Sequence, residues 1–245
     1  MLPIGDRNPT RTTPFVNYCL LALNIAVFVL ELRIEGAQGG RSWLVPGYGL
    51  VPSRIMNDVP GEAFTVLSSM FMHGGWLHLA GNMLFLYIFG DNVEDALGHF
   101  RYVLFYLLSG VGAAAAQVLT NPGSPTPMVG ASGAIAGVLA AYVVLYPSAP
   151  ITLLLPPPLL FFLGPFIMLP AWMVIGAWFG IQLWTGFGPV RDLETGGVAI
   201  MAHVGGFLTG LLLVRPFRGG RPREDHDRWR GWRPPERAAV RGRWN

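Results

Sequence analysis

Long runs of apolar residues, separated by short polar or glycine- and proline-rich segments, dominate the pattern along the chain. Six of these runs are long enough to cross about 30 Å of hydrocarbon as helices rising 1.5 Å per residue. They cover residues 14–32, 77–97, 101–120, 130–147, 169–187 and 198–214. The pattern therefore predicts an all-α, polytopic membrane protein with six transmembrane helices and no second domain.

Two segments need separate treatment. Residues 151–168 are apolar but contain three consecutive prolines, Pro156 to Pro158, which would break a helix. We place them in an interfacial loop before the fifth run. The first run is too long for a signal-peptide core and no clear cleavage site follows it, so we interpret it as a retained signal anchor.

Composition agrees with a membrane protein. Of the 245 residues, 52% are hydrophobic and only 13% are charged, about half the charged fraction of a typical soluble domain. The mean hydropathy is +0.44. The single cysteine, Cys19, excludes an intrachain disulfide. No cofactor and no metal are predicted.

The distribution of arginine orients the helices. Of the 17 basic residues, all arginine, ten lie in residues 215–245. The positive-inside rule places that end in the cytoplasm, and an even number of spans puts the N-terminus on the same side. We therefore expect a short cytoplasmic tail at 1–13, a membrane domain at 14–215 and an Arg-rich, disordered cytoplasmic tail at 216–245. Nothing in that tail marks a nucleic-acid-binding fold, and contact with anionic lipid is the preferred interpretation.

This topology brings four polar side chains to one depth. His78 and Asn82 lie in the first turns of the second run, Ser132 in the first turn of the fourth, and His203 about five residues into the sixth. All three runs begin on the outer side. Polar groups at membrane depth are costly and are functional hypotheses by default. Ser132 is thus a candidate nucleophile and His203 a candidate base.

The spacing of small residues predicts a close crossing of the fourth and sixth helices. His203, Gly206 and Gly210 share one helix face, as do Ser132, Ala136 and Ala140, with Gly133 and Gly137 beside them. Small residues let membrane helices approach closely. Such a crossing would bring the Ser132 hydroxyl within reach of the His203 imidazole.

Four sequence motifs, in this order, resemble the rhomboid family of intramembrane serine proteases. They are His73-Gly-Gly-Trp-Leu-His78-Leu-Ala-Gly-Asn82, Phe89-Gly90-Asp91-Asn92-Val93-Glu94-Asp95, Gly130-Ala131-Ser132-Gly133, and Ala202-His203-Val204-Gly205-Gly206 with Gly210. The resemblance covers most of residues 60–215. It implies a six-transmembrane-helix rhomboid-like bundle with a Ser–His dyad, in which Ser132 is the nucleophile and His203 the general base. His73, Gly130, Gly133, Gly206 and Gly210 would support the site.

The chain departs from some members at two places. Residues 33–76 contain Arg41 and Trp43 but no adjacent Trp-Arg pair, and Ala136 stands where some members have a tyrosine that stacks on the base. We expect Trp, Met or Phe side chains of the fifth run to pack against His203 instead.

The chemistry expected of these residues is acyl transfer. A neutral histidine can take the serine proton, and no acidic residue lies at the same depth, so a dyad is predicted rather than a triad. The Ser132 N–H, the Asn82 amide and His78 are expected to stabilise the oxyanion. The resemblance implies transmembrane protein substrates that enter past the fifth helix, with the site facing the extracytoplasmic side of the cell membrane. Residues 186–197 could form a mobile cap.

Other functional classes fit less well. The chain has no His-Glu-x-x-His zinc motif, and Asp91 and Asp95 lie together near the inner end of one run, unlike a pair of catalytic aspartates. Two alternatives remain open: a small transporter or channel lined by His78, Asn82 and His203, and a catalytically silent rhomboid-like binding protein. The sequence does not identify the substrate or the oligomeric state.

Overall fold

The computed structural model describes residues 1–37, 44–157, 164–187 and 200–218. Within them, the long helices are α1 (Phe15–Ala37), α6 (Trp76–Leu97), α7 (His99–Thr120), α8 (Ser132–Leu145), α9 (Ala171–Phe187) and α10 (Ile200–Arg218). Each of the six predicted apolar runs overlaps one of these helices, and the boundaries differ by up to five residues. Between α1 and α6 lie α2 (Leu44–Tyr48), α3 (Pro52–Asn57), α4 (Val59–Glu62), α5 (Phe64–Ser68) and a 3-10 turn, Ser69–Phe71.

Three of the described helices are long and apolar enough to cross a membrane by length and composition: α1, α7 and α10. Each of the other three long helices falls short of these criteria in one property, either its charge or its length. Helix α6 has 22 residues but carries Asp91, Glu94 and Asp95 in its last turns. Helices α8 and α9 are apolar and have 14 and 17 residues. The chain is therefore a predominantly helical membrane protein.

Helix α8 forms the centre of the bundle. Eleven of its residues are buried, among them Ala136, Leu139 and Tyr142 at 0% exposure. Helices α6, α7 and α10 pack around it, because its glycines and alanines allow close approach. At 14 residues its length is about 21 Å, less than the roughly 30 Å of a bilayer core. A helix of this length is too short to reach both surfaces of such a bilayer.

The prediction of an all-α protein needs one correction. Strands β1 (Leu2–Asp6), β2 (Pro150–Leu154) and β3 (Phe166–Pro170) form an antiparallel sheet in the order β1-β2-β3. The expected interfacial loop thus contains two strands, and the N-terminal segment supplies the third. Prolines at 150, 165 and 170 disfavour a helix in this segment. The apolar side chains of Ile151 and Leu153 in β2 are buried. Pro158 lies outside the described residues.

The sheet lies at one end of the bundle, which we call the sheet end; the opposite end, where α8 begins at Ser132, is the site end. Polar side chains of α6 hold the N-terminal segment at the sheet end. Glu94 accepts hydrogen bonds from the Val16 and Asn17 N–H groups at the start of α1, at 3.1 and 2.7 Å, as expected for an anion at a helix N-terminus. Asp95 accepts one from the Thr12 N–H at 2.9 Å.

Candidate active site

The central feature of the site end is a hydrogen bond between the candidate nucleophile and the candidate base. His203 Nε2 lies 2.8 Å from Ser132 Oγ. Ser132 is the first residue of α8 and His203 lies in the first turn of α10. Both side chains are half-buried and line a cavity of about 540 Å³.

Glycine contacts between α8 and α10 bring these two residues together. A Cβ built on Gly206 would overlap the Gly133 carbonyl oxygen, and one built on Gly210 would overlap the backbone of Gly137. The close crossing predicted from the sequence is therefore present. Its α8 side is formed by Gly133 and Gly137 rather than by Ala136, because the helix turns that alanine into the core.

His78 and Asn82 line the same cavity, one turn apart on α6. Asn82 is 7% exposed, and its Nδ2 has no hydrogen-bond partner among the described residues. A buried donor without a partner is unusual and costly, which points to a function for this amide. The four polar side chains that the sequence placed at one depth thus lie around one cavity.

Gly130 fits this group through its backbone. Its φ of 126° lies in a region that side chains rarely adopt, and a Cβ would come within 2.7 Å of the His78 ring and 3.6 Å of Asn82 Nδ2. Its N–H donates a hydrogen bond to the Ser69 carbonyl oxygen at 2.8 Å. Only glycine lets the chain pass this close to His78 before it enters α8.

His73 lies behind His78 and is absent from the residues lining the cavity. Its ring contacts that of His78 edge-on, with centroids 5.2 Å apart, and it is 3% exposed. Burial, with a smaller contribution from His78, lowers the pKa of His73 to about 4. His73 is thus an uncharged neighbour of His78 near neutral pH.

Helix α9 provides two contacts to His203 that the sequence did not identify by residue. The Trp178 ring lies against the imidazole, with centroids 5.8 Å apart and planes tilted by 45°; an aromatic residue of this helix was expected there. Gln182 Oε1 lies 2.8 Å from His203 Nδ1. This contact was not expected, although a lone amide in an apolar helix is a signal for one.

Among the described residues, no group of three or more His, Cys, Asp or Glu side chains could hold a metal ion. The expected cap at 186–197 falls mostly outside the described residues, as do Arg41 and Trp43. Chemically, the arrangement is a serine hydroxyl paired with an imidazole in a cavity that is also lined by the buried amide of Asn82.

Comparison with known proteins finds a matching family model and several related sequences. Residues 60–219 match the model of the rhomboid domain. The chain is 37% identical over 128 residues to the rhomboid protease GluP of Bacillus subtilis, covering 52% of this chain and 24% of that protein. It is 30% identical over 138 residues to the rhomboid protease AarA of Providencia stuartii, covering 51% and 48%, and 30% identical over 242 residues to the RHOMBOID-like protein 4 of Arabidopsis thaliana, covering 84% and 54%.

The fold and the site define a helical membrane protein with a serine–histidine pair in a cavity between its helices. The rhomboid-domain match covers well over half of the chain, and the chain belongs to the rhomboid family. The matched stretches make up about half or less of these relatives' own lengths.

Proposed function

We propose that this protein is an intramembrane serine endopeptidase that cleaves transmembrane segments of other membrane proteins. The hydrogen bond between His203 Nε2 and Ser132 Oγ, at 2.8 Å, is the observation that carries the proposal. The printed names of GluP and AarA describe those relatives as proteases. Family membership alone does not establish catalysis, so the Ser–His pair carries the greater weight.

In this mechanism His203 takes the Ser132 proton as Oγ attacks the scissile carbonyl carbon. The C=O π electrons move to oxygen, which becomes an oxyanion. The imidazolium then gives its proton to the leaving amine as the C–N bond breaks, leaving an acyl-enzyme. Water, deprotonated by His203, attacks the ester carbonyl, and the proton returns to Ser132 Oγ as the ester C–O bond breaks.

Three donors are available for the oxyanion. The Ser132 N–H lies at the start of α8, where no intrahelical acceptor is available, and the helix dipole favours negative charge there. Asn82 Nδ2 is buried without a partner among the described residues, and the His78 ring lines the same cavity. Preorganised donors of this kind are worth roughly 10²–10³ in rate each.

The proposed topology has six spans, with both termini cytoplasmic and the site end facing the extracytoplasmic side of the cell membrane. We assign residues 1–13 to a cytoplasmic tail, 14–215 to the membrane domain and 216–245 to an Arg-rich cytoplasmic tail in contact with lipid rather than nucleic acid. The length of α8 supports a recessed Ser132: about 21 Å of helix, starting from the sheet-end surface, ends roughly 9 Å short of the opposite surface. Water would then reach the cavity from the site end.

A catalytically silent rhomboid-like binding protein is the second candidate. It would need neither an intact Ser–His hydrogen bond nor an unpaired buried amide at Asn82. A transporter has less support, because the acidic residues of α6 at the sheet end bind the N-terminal segment: Glu94 and Asp95 accept backbone hydrogen bonds there.

Labelling with a fluorescent fluorophosphonate tests the proposal without a known substrate. Wild type should be labelled, and Ser132→Ala and His203→Ala should not. Ser124→Ala, which removes a half-buried loop serine outside the cavity lining, is the matched control and should be labelled like wild type. Labelling that survives Ser132→Ala would place the nucleophile elsewhere. A wild type that stays unlabelled and does not cleave a reconstituted single-span protein would favour the silent binding protein.

A further inference from the structure

The contact between Gln182 and His203 joins two helices across the site. Gln182 follows Trp178 by one turn of α9, so both side chains face α10. Gln182 is half-buried, and its Oε1 lies 2.8 Å from His203 Nδ1, while the opposite ring nitrogen lies 2.8 Å from Ser132 Oγ. The imidazole is thus held at both nitrogens.

The chemistry of the amide oxygen decides where the imidazole carries its proton. A carbonyl-type oxygen has no proton to donate, so the Nδ1 atom must be the donor in this hydrogen bond. A neutral imidazole carries one N–H, which leaves Nε2 as an acceptor. Only this tautomer can accept the hydroxyl proton of Ser132.

Nothing else in the described part of the cavity performs this task. None of its described lining residues is Asp or Glu, and Ala136, one turn below Ser132, has no ring or polar group. Trp178 restricts the tilt of the imidazole, and no hydrogen bond joins the two rings. Gln182 makes the polar contact at Nδ1.

We propose that Gln182 is a positioning residue for His203: its side-chain oxygen accepts the Nδ1 proton and so fixes the ring orientation and the tautomer that make Nε2 the base. This inference rests on the proposed function. An amide suits membrane depth because it accepts the hydrogen bond without the desolvation cost of a carboxylate. The neutral oxygen also remains in place to accept the same hydrogen bond from the imidazolium.

The kinetic test compares Gln182→Met, Gln182→Glu and the control Leu183→Met. Methionine keeps the length of the side chain and removes the oxygen acceptor, whereas glutamate keeps an oxygen at the same reach. Leu183 is the next residue of α9 and is exposed, so the control introduces the same side chain away from the site.

With Gln182→Met, the rate constant for fluorophosphonate labelling should fall roughly tenfold, as expected for losing one orienting hydrogen bond. For a cleaved helical substrate, kcat should fall by a similar factor with KM little changed, because the lost contact is to the base. Gln182→Glu should recover most of the rate, and Leu183→Met should stay within about twofold of wild type. Equal rates in Gln182→Met and wild type would overturn the proposal.

Nitrogen-15 NMR of histidine-labelled wild type provides a readout that a purely structural role would not produce. The His203 signal, identified by its loss in His203→Ala, should report Nδ1 protonated and Nε2 unprotonated at pH 7.5. A wild-type spectrum with the proton on Nε2 would overturn the proposal even where Gln182→Met does not fold. Loss of the proposed function would look different: labelling would be absent or independent of Ser132, whatever residue stands at 182.

Discussion

Gly206 of α10 packs directly against the carbonyl oxygen of Gly133 on α8, with no room for a Cβ between them. The neighbouring pair one turn further along the crossing, Gly210 and Gly137, also leaves no room for a Cβ. Ser132 and His203 lie next to this crossing. The distance between nucleophile and base is therefore set by backbone contact rather than by the side chains alone.

Gly206→Ala should consequently separate α8 from α10. Overpacking of this kind costs about 1–3 kcal/mol, which corresponds to a decrease of roughly 2–12 °C in the melting temperature of a domain of this size. Fluorophosphonate labelling should decrease with it. Gly176→Ala is the matched control, because a Cβ there meets nothing within 4 Å. An alanine at 206 that preserves both stability and labelling would contradict the role of the crossing.

Gly130→Ala should damage the oxyanion donors while leaving the bundle folded. The added Cβ would press on the His78 ring, at 2.7 Å, in a backbone conformation with φ of 126°. Turnover of a helical substrate should fall by roughly 10²-fold or more, as for loss of a donor. Gly123→Ala, where a Cβ is free of neighbours, should behave like wild type. Comparable turnover in both variants would refute this assignment.

Asn82→Ala should lower kcat by roughly 10²–10³ and leave residual activity, whereas Ser132→Ala should have none. The expected reason is the loss of one donor to the oxyanion while nucleophile and base remain. Turnover in detergent micelles or proteoliposomes measures the effect. Asn57→Ala removes an exposed amide of α3, outside the cavity lining, and should leave turnover unchanged. A fully active Asn82→Ala variant would remove this residue from the site.

Asp6 should make the attachment of the N-terminal strand depend on pH. Burial raises its pKa from 3.8 to about 6, although the hydrogen bond from Tyr142 opposes this shift. The folded state therefore favours the protonated carboxyl. Its stabilising contribution is complete below pH 3.8 and is lost as the pH rises through 6. The expected loss is about 1–2 kcal/mol, allowing for solvent screening of a half-buried group.

Hydrogen exchange of the β1 and β2 amides measures this effect locally. Asp6→Asn has no titrating carboxyl at this position, so its protection factors should exceed those of wild type above pH 7. The difference should shrink as the pH approaches 4. A difference that is constant between pH 4 and 8 would show that Asp6 does not titrate in this range.

The helices and the position of the catalytic candidates were predictable from the sequence. The length of an apolar run, and the place of a polar residue within that run, can both be determined directly along the chain. Ser132 and His203 each lie near the start of an apolar run, and the spacing of Gly206 and Gly210 indicates which face of α10 is packed. The sheet was not predictable in the same way. Five-residue apolar strands such as Pro150–Leu154 lack a distinctive periodicity, and their partner strand is about 145 residues away.

Gln182 illustrates a second limit. Its single amide is visible in the sequence, but its partner depends on how α9 is rotated against α10. That rotation comes from contacts such as the stacked rings of Phe179 and Phe207, 4.0 Å between centroids and 17° between planes. Side-chain packing of this kind cannot be inferred from spacing along one helix.

Helix α9 is fixed to the rest of the protein at the sheet end, so a rotation about that end would move the opposite end of the helix. It continues directly from β3, and the Ala171 and Trp172 N–H groups donate to the Ala149 and Pro147 carbonyl oxygens at 2.9 and 3.0 Å. Gln182 lies about 16 Å further along the axis, so a swing of about 10° about Ala171 displaces it by about 3 Å. A displacement of that size exceeds what a hydrogen bond tolerates. If α9 moved sideways about its attachment to the sheet, the hydrogen bond between Gln182 and His203 would break. Return of the helix would form that hydrogen bond again and restore the orientation of the imidazole.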